Sequence, residues 1–248
     1  FIGHGSPMNA ILDNSYSRFL SSYAQKIEKP KAIVVISAHW QTKGTYVTGN
    51  QNPDQIYDFY GFPDELYRVK YSPHGSKAVA EMIAQEVDEI KIDADRGIDH
   101  AGWAVVKHMY PDGSVPLLQV SLDILKTNHQ HFSLGSRLGA LANSEILFIG
   151  SGNMVHNLRT ISYDDNDHPF EWAVKADRWL DERLRAKEID QLVNYEANFP
   201  DYKKSIPTNE HYLPLLYILG MYDINNDIDT IFEEIQNGSI SMRSIQVS

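Results

Sequence analysis

The chain contains no cysteine among its 248 residues. This absence excludes disulfides, thiolate zinc sites, iron–sulfur clusters and cysteine nucleophiles. Any transition metal must be held by histidine, aspartate and glutamate, and the sequence offers ten histidines. Three common motifs are also missing: the His-Glu-x-x-His of helical zinc proteases, the Gly-x-Ser-x-Gly of α/β-hydrolases and the P-loop.

Basic residues and long apolar runs are scarce as well. Lysine and arginine number 22 against 33 aspartates and glutamates, which gives a formal net charge of −11. Nucleic acids and anionic lipids attract basic surfaces, so we expect neither partner. A membrane helix needs about 18 consecutive apolar residues, whereas the longest run, residues 32–38, has only strand length. We therefore expect a cytoplasmic protein without a membrane partner. Because Phe1 is not methionine and residues 1–3 resemble a strand end, we also expect the natural chain to begin earlier.

Strand-like and helix-like segments alternate along the chain. Hydrophobic residues make up 42% and charged residues 22%, as in ordinary globular proteins. The predicted strands are residues 32–38, 115–122 and 145–150, with weaker candidates at 45–48, 66–71 and 90–92. Helical spacing covers residues 76–89, 134–142, 169–187 and 212–222. This alternation predicts the α/β class: a single-domain α/β/α sandwich over residues 1–248, around a mostly parallel or mixed sheet.

Several histidines follow predicted strands or glycine-rich turns. His4 follows a strand-like start, His39 follows residues 32–38, and His156 comes six residues after the strand at 145–150. Ligands of open α/β sheets bind outside the carboxyl ends of the strands, and imidazole is the commonest metal ligand. The pattern predicts that five histidines meet at one metal site: His4, His39, His100, His156 and His211.

The other five histidines have no such placement: His74, His108, His129, His131 and His168. A lone histidine is more often a surface or hydrogen-bonded core residue than a ligand. We assign these five to that role, with His129 and His131 in a polar turn before a helix.

Five short motifs occur in a characteristic order. They are His4-Gly5-Ser6-Pro7-Met8, Ser37-Ala38-His39-Trp40, Asp58-Phe59-Tyr60-Gly61-Phe62-Pro63, Asp99-His100-Ala101-Gly102-Trp103 and Asn209-Glu210-His211. Together the motifs resemble the class III extradiol ring-cleavage dioxygenases, in particular the branch that is similar to DOPA 4,5-dioxygenase. The resemblance extends from residue 3 to about residue 222.

This resemblance implies a mononuclear non-haem Fe(II) enzyme that opens a catechol ring with O₂ to give a semialdehyde. It implies that His4 and His39 bind the metal and that the third ligand is Glu210 or His211. His211 is favoured, because Asn-Glu-His is the pattern of the DOPA-type branch. His156 would be a fourth ligand in zinc-loaded forms or a catalytic acid or base. His100 would lie in the substrate pocket, so the acid and base roles fall to His100 and His156.

Weaker candidates surround these histidines. Orienting roles near the metal are open to Asp99, Asn153 and Asn157, against an equally good reading as turn residues. Aromatic walls of a substrate pocket are open to Trp40, Phe59, Tyr60, Trp103 and Tyr212, although each is individually more typical of a core. A substrate carboxylate would be met by Arg159 or Arg68, although a solvated surface arginine is the commoner case.

Two other functions compete with the dioxygenase. A zinc-dependent hydrolase would use the same histidines, since zinc favours a histidine-rich tetrahedron with one bound water. A non-catalytic metal-binding protein would keep the site without the reaction. Zinc content alone does not separate these hypotheses, because zinc binds such sites more tightly than Fe(II).

Overall fold

The computed structural model describes residues 1–142, 144–162, 168–221 and 227–247. Its strands are β1 (Ile2–Gly3), β2 (Ala32–Thr42), β3 (Thr45–Thr48), β4 (Ile90–Asp93), β5 (Leu117–Asp123), β6 (Ile146–Gly152), β7 (Ile228–Phe232), β8 (Ile235–Gln236), β9 (Ile240–Ser241) and β10 (Ser244–Val247). Its α-helices are α1 (Ser15–Ala24), α2 (Asp64–Tyr67), α3 (Lys77–Glu86), α4 (His100–Met109), α5 (Asn128–Leu138), α6 (Glu171–Arg185), α7 (Ile189–Val193), α8 (Tyr195–Asn198), α9 (Tyr202–Ser205) and α10 (Leu213–Gly220). Short 3₁₀ turns occupy Pro7–Ala10, Gly139–Leu141 and Leu158–Thr160.

Six strands form the central sheet in the order β1-β6-β2-β5-β3-β4. The pairs from β1 to β5 are parallel, and β3 is antiparallel to β5 but parallel to β4. The sheet is therefore mixed but mostly parallel. The carboxyl ends of β1, β6, β2 and β5 lie at one edge, which is the edge where a ligand is expected in such a fold.

The sheet is covered on both faces. Ala32, Val34 and Ile36 of β2 pack into a core that includes α3, α5, α6 and α10. Ile33 and Val35 point the other way, into a second core with α1 and α4. Burial on both sides explains why β2 reads as a continuous apolar run instead of alternating. The predicted α/β/α sandwich is confirmed.

Most predicted elements are present, with shifted ends. The prediction of a strand over residues 66–71 is wrong, because Asp64–Tyr67 form a short helix with two acidic residues in its first turn. The predicted helix over 134–142 starts earlier, at Asn128, where Thr127 and Gln130 form a capping box. His129 and His131 therefore lie in α5 and not in a turn. The last residue of the predicted helix 212–222 lies outside the described residues, and α10 ends at Gly220.

Helix length and polarity also bear on the membrane prediction. In the ranges that the structure describes, none of the helices combines the length and the apolar character that a membrane crossing requires.

Candidate active site

His4 lies directly after β1, at the carboxyl edge of the sheet. Its backbone N–H donates to the Gly152 carbonyl at 2.9 Å, which continues the pairing of β1 with β6. Its Nδ1 lies 3.0 Å from Ser151 Oγ, and Ser151 Oγ donates to the Ala101 carbonyl at 2.7 Å. Because a hydroxyl has one hydrogen, Ser151 must accept from His4 Nδ1–H. The lone pair of His4 is therefore on Nε2.

His39 lies in an irregular part of β2. The register with β5 shifts between Ile36 and Gln41, so the residues between them are not paired with β5 in the regular way. Such bulges re-aim side chains next to active sites. His39 Nδ1 lies 3.1 Å from Asp58 Oδ2. A carboxylate accepts only, so Nδ1 carries a proton and Nε2 faces away from Asp58.

His211 reaches the same place from the segment before α10. The His211 carbonyl accepts the backbone N–H of Asn153 at 2.9 Å. It also lies 2.0 Å from the position that a Cβ would take at residue 152. Glycine is needed there, because any side chain would strike this carbonyl. Glu210 Oε1 accepts from His211 Nδ1–H at 3.0 Å, so His211 also offers Nε2.

These three imidazoles meet through their Nε2 atoms. His39 Nε2 lies 3.3 Å from His4 Nε2 and 3.2 Å from His211 Nε2. Two nitrogens that bind one tetrahedral zinc at about 2.0–2.1 Å are themselves about 3.3–3.4 Å apart. Three lone pairs at this spacing repel one another unless a cation lies between them. The donor set and its spacing therefore fit a first-row metal ion, with His211 and not Glu210 beside His4 and His39.

His100 and His39 share one carboxylate. Asp58 Oδ1 accepts the backbone N–H of His100 at 2.9 Å, and Asp58 Oδ2 accepts His100 Nδ1–H at 2.9 Å. The same Oδ2 accepts from His39 Nδ1. The His100 ring centroid lies 4.2 Å from that of His39 and 5.5 Å from that of His4. His100 thus stands beside the three-imidazole group with its Nε2 unprotonated.

His156 lies on the other side of His211. The two rings are stacked, with centroids 3.7 Å apart and planes at 13°. The His156 backbone N–H donates to the Ser205 carbonyl. A ring nitrogen of His156 lies within 4.8 Å of possible ligand atoms of Glu210 and His211. His156 is not part of the cluster formed by His4, His39 and His211. Its roles as fourth ligand or as acid and base both stay predictions.

Burial keeps most of these imidazoles neutral. It lowers the pKa of His4 well below the usual value, lowers that of His156 to about 2 and lowers that of His211 to about 4. Burial raises the pKa of Glu210, but its bond with His211 outweighs this and brings that pKa down to about 2. Neutral imidazoles with ionised carboxylates behind them are ready to bind a cation.

His39 differs from its neighbours. Burial lowers its pKa, but the hydrogen bond to Asp58 and the charges of Asp99, Asp58 and Glu210 outweigh burial, so the pKa of His39 is raised. A metal ion at Nε2 has to displace any proton held there, so metal binding releases protons at this site.

Three comparisons with known proteins bear on this site. Residues 3–245 match the family model described as the catalytic LigB subunit of aromatic ring-opening dioxygenase. The 4,5-DOPA dioxygenase extradiol of Escherichia coli K12 is 41% identical over 253 aligned residues, covering 100% of this chain and 93% of that protein. The 4,5-DOPA dioxygenase extradiol of Beta vulgaris is 36% identical, covering 98% and 94%.

The chain belongs to the LigB family of extradiol, aromatic ring-opening dioxygenases. A solved structure agrees: the crystal structure of uncharacterized protein JW3007 from Escherichia coli K12 has a TM-score of 0.87 and 37% identity, covering 100% of this chain and 98% of that one. LigB dioxygenases depend on a metal and take a small aromatic substrate together with O₂. The predicted family and enzyme class are confirmed.

The three residues predicted to orient the metal ligands make hydrogen bonds that stabilise the fold. Asp99 is fully buried, caps α4 through Ala101 N–H and accepts from Ser37 and Gln119. Asn153 accepts from Gly5 N–H, and Asn157 donates to the Lys204 carbonyl. Of these three, Asn153 is the nearest to an orienting residue, because it holds the turn after His4.

The aromatic candidates lie in the core, beside His100 or at the surface, and the two basic candidates lie at the surface. Trp103 and Tyr212 are fully buried and donate to backbone carbonyls, so they belong to the core. Phe59 packs edge-on against His100, with centroids 5.4 Å apart. Trp40 is buried beneath Arg96, and Tyr60 is 91% exposed. Both arginine candidates are exposed: Arg159 and Arg68.

The remaining histidines lie outside the three groups of possible metal ligands in the described ranges. His74, His108 and His129 bond to Asn52, the Asn9 carbonyl and Asn194. His131 is buried against Tyr217, and His168 is exposed.

Sequence reasoning missed Asp58 and Ser151 as partners of the site. Asp58 is part of a motif quoted above, but a loop aspartate before Phe-Tyr-Gly resembles any turn residue. The fold places Asp58 beside His100 because the Ile56 N–H donates to the carbonyl of Ile98, two residues before α4 begins. This long-range pairing leaves no local signal in the sequence.

Proposed function

We propose that this LigB dioxygenase uses Fe(II) to open the ring of a DOPA-like catechol with O₂. The observation that carries the proposal is the meeting of three Nε2 lone pairs, from His4, His39 and His211, at the carboxyl edge of the sheet. DOPA is proposed as the substrate because the Escherichia coli and Beta vulgaris relatives are named for it.

The three imidazoles would hold the ion on one side. Fe(II) bound there would supply a Lewis acid that lowers the pKa of the catechol hydroxyls and brings catechol and O₂ together. The side chains of Ser151, Asp58 and Glu210 would keep each ligand in the tautomer that offers Nε2.

Proton transfer would fall to the two imidazoles outside this set. His100 has an unprotonated Nε2 and lies against His39, so it would take a proton from a catechol hydroxyl. Because burial keeps His156 neutral, it would first take up the second catechol proton and then return that proton during ring opening. Phe59, packed on His100, would exclude water from that side.

The test is anaerobic loading with Fe(II), followed by addition of a catechol panel that includes DOPA and protocatechuate. We expect O₂ uptake that depends on catechol, and a yellow ring-opened product. Tyrosine, which has one hydroxyl, should give neither. Absence of uptake across the panel, together with ester hydrolysis by the zinc-loaded protein, would instead favour the zinc-dependent hydrolase.

We also propose that the enzyme works in the cytoplasm. We expect no nucleic acid or membrane partner, because a formal charge of −11 disfavours binding to nucleic acids and to anionic lipid surfaces. Sedimentation with anionic vesicles at low salt would contradict this part of the proposal.

A further inference from the structure

The Asp58 carboxylate joins two imidazoles that have different tasks. Its Oδ2 lies 3.1 Å from His39 Nδ1 and 2.9 Å from His100 Nδ1, and its Oδ1 accepts the His100 backbone N–H. The Asp58 side chain is 17% exposed, so little water competes for these bonds. Within the described ranges, Asp58 is the only carboxylate that lies within ion-pair distance of both rings.

The geometry points to Asp58 as a positioning residue that fixes the tautomers of His39 and His100 together. This inference rests on the proposed function for its catalytic part, because only that function gives His100 a proton to accept. One carboxylate oxygen that accepts from both Nδ1–H groups leaves both Nε2 atoms with lone pairs. One lone pair then faces the metal position and the other faces the substrate side.

An amide at this position separates the hypothesis from simple packing. In Asp58→Asn, an Oδ1 that still accepts the His100 backbone N–H leaves the NH₂ group facing both Nδ1 atoms. An amide nitrogen only donates, so it favours the opposite tautomer, with protons on Nε2. The flipped amide restores both Nδ1–H bonds but sets its NH₂ against the backbone N–H. Neither orientation satisfies all three donors.

Asp99 provides a contrast for this role. It is also buried beside both histidines, yet it bonds to Ser37, Gln119, Arg96 and backbone N–H groups and not to an imidazole. Its charge acts on His39 only across space. Asp58 therefore differs from Asp99 in its direct contact with the ring nitrogens, although Asp99 is the more deeply buried of the two carboxylates.

The first experiment is ¹⁵N NMR of histidine-labelled, metal-free wild-type protein at a pH where the rings are neutral. We expect protonated Nδ1 and unprotonated Nε2 for His39 and His100. Signals of Nε2–H tautomers for both rings would overturn the inference without any variant. The signals of each ring are assigned from their loss in the His39→Gln and His100→Gln variants.

The second experiment compares Asp58→Asn with wild type by Co(II) titration, followed through the visible absorption of bound Co(II). We expect the affinity to fall by about 10–100-fold, the range for lost partners of metal-binding histidines. With Fe(II) saturating, kcat should fall by at least about 100-fold, with a smaller change in KM. The matched control is Asp64→Asn, six residues further on at the first position of α2, where the carboxylate is 89% exposed and lies 3.8 Å from Arg68. It should leave both readouts unchanged.

Asp58→Ala serves if the amide variant does not fold. It removes the acceptor without adding a donor, so we expect mixed tautomers and a Co(II) affinity between those of wild type and Asp58→Asn. A folded Asp58 variant with wild-type affinity and wild-type tautomers would refute the inference. If wild type consumes no O₂ with any catechol but Asp58→Asn still loses Co(II) affinity and switches tautomer, the proposed function fails while the positioning role at His39 stands.

Discussion

The rings of His156 and His211 are stacked, with centroids 3.7 Å apart and planes at 13°. Parallel rings at this distance direct their in-plane nitrogen lone pairs along different lines. His211 Nε2 approaches His39, whereas the ligand group of His4, His39 and His211 does not include His156. The stack therefore favours an acid or base role for His156 over a place among the metal ligands.

His156→Ala should consequently separate binding from turnover. We expect Co(II) affinity to stay within about tenfold of wild type, while kcat with Fe(II) falls by about 10²–10⁴-fold. His211→Ala is the matched comparison and should lose both. Equal losses of affinity in the two variants would make His156 a ligand.

His39→Ala should remove the metal without unfolding the protein. His39 lies at the crevice and not in either apolar core, so we expect the free energy of unfolding to change by less than about 1 kcal/mol. Metal content after dialysis should fall to background. His129→Ala, which removes an exposed imidazole bonded to Asn194, should change neither quantity. Metal loss in both variants would show that the histidines are grouped wrongly.

The sequence was sufficient to predict the main strands and the histidines near their carboxyl ends, because burial on both faces gives β2 an unbroken apolar run over residues 32–36 and leaves every residue of β5 buried. It was insufficient for Asp58, whose contact with His100 spans 42 residues and depends on a loop without periodicity. The histidines of α5 were misplaced for a local reason: the polar first turn of that helix resembles a loop until the capping box at Thr127 is recognised. Between the adjacent Glu210 and His211, the Asn-Glu-His pattern favoured His211, and the direction of the two side chains in the fold agrees with this choice.

Gly152→Ala should disturb the site through the backbone. A Cβ at residue 152 would meet the His211 carbonyl, so either β6 or the segment before α10 has to move. We expect about 1–3 kcal/mol of destabilisation and at least tenfold weaker Co(II) binding, because His211 moves with its carbonyl. Gly139→Ala is a suitable control, since residue 139 has φ −56° and its Cβ would come no closer than 3.3 Å to Met221. Unfolding curves and Co(II) titration of both variants check this.

His131 should make folding stability depend on pH. Burial, followed by the charge of Lys126, lowers the pKa of His131 to about 4 from a model-peptide value of 6.5. The unfolded chain therefore binds more protons between these values, so stability is complete above pH 6.5 and declines as the pH falls toward 4. At pH 5 the loss is about 2 kcal/mol. Urea unfolding of wild type and His131→Gln at pH 7 and pH 5 should show a smaller loss in the variant. Parallel losses would mean that another group is responsible.

Arg243 should anchor the C-terminal segment against α6. Its side chain is 6% exposed, and its guanidinium donates to both carboxylate oxygens of Asp177, at 3.1 and 2.6 Å, and to Asp181 at 2.8 Å. Asp177→Ala leaves a buried cation short of its bidentate partner, which is expected to cost about 3–5 kcal/mol. Asp13→Ala breaks the solvent-exposed pair with Arg18 and should not change stability measurably. Urea denaturation of both variants at pH 7 is the measurement. Similar midpoints for the two would mean that Asp181 and Glu233, whose carboxylate lies 3.1 Å from the Arg243 guanidinium, suffice to hold Arg243.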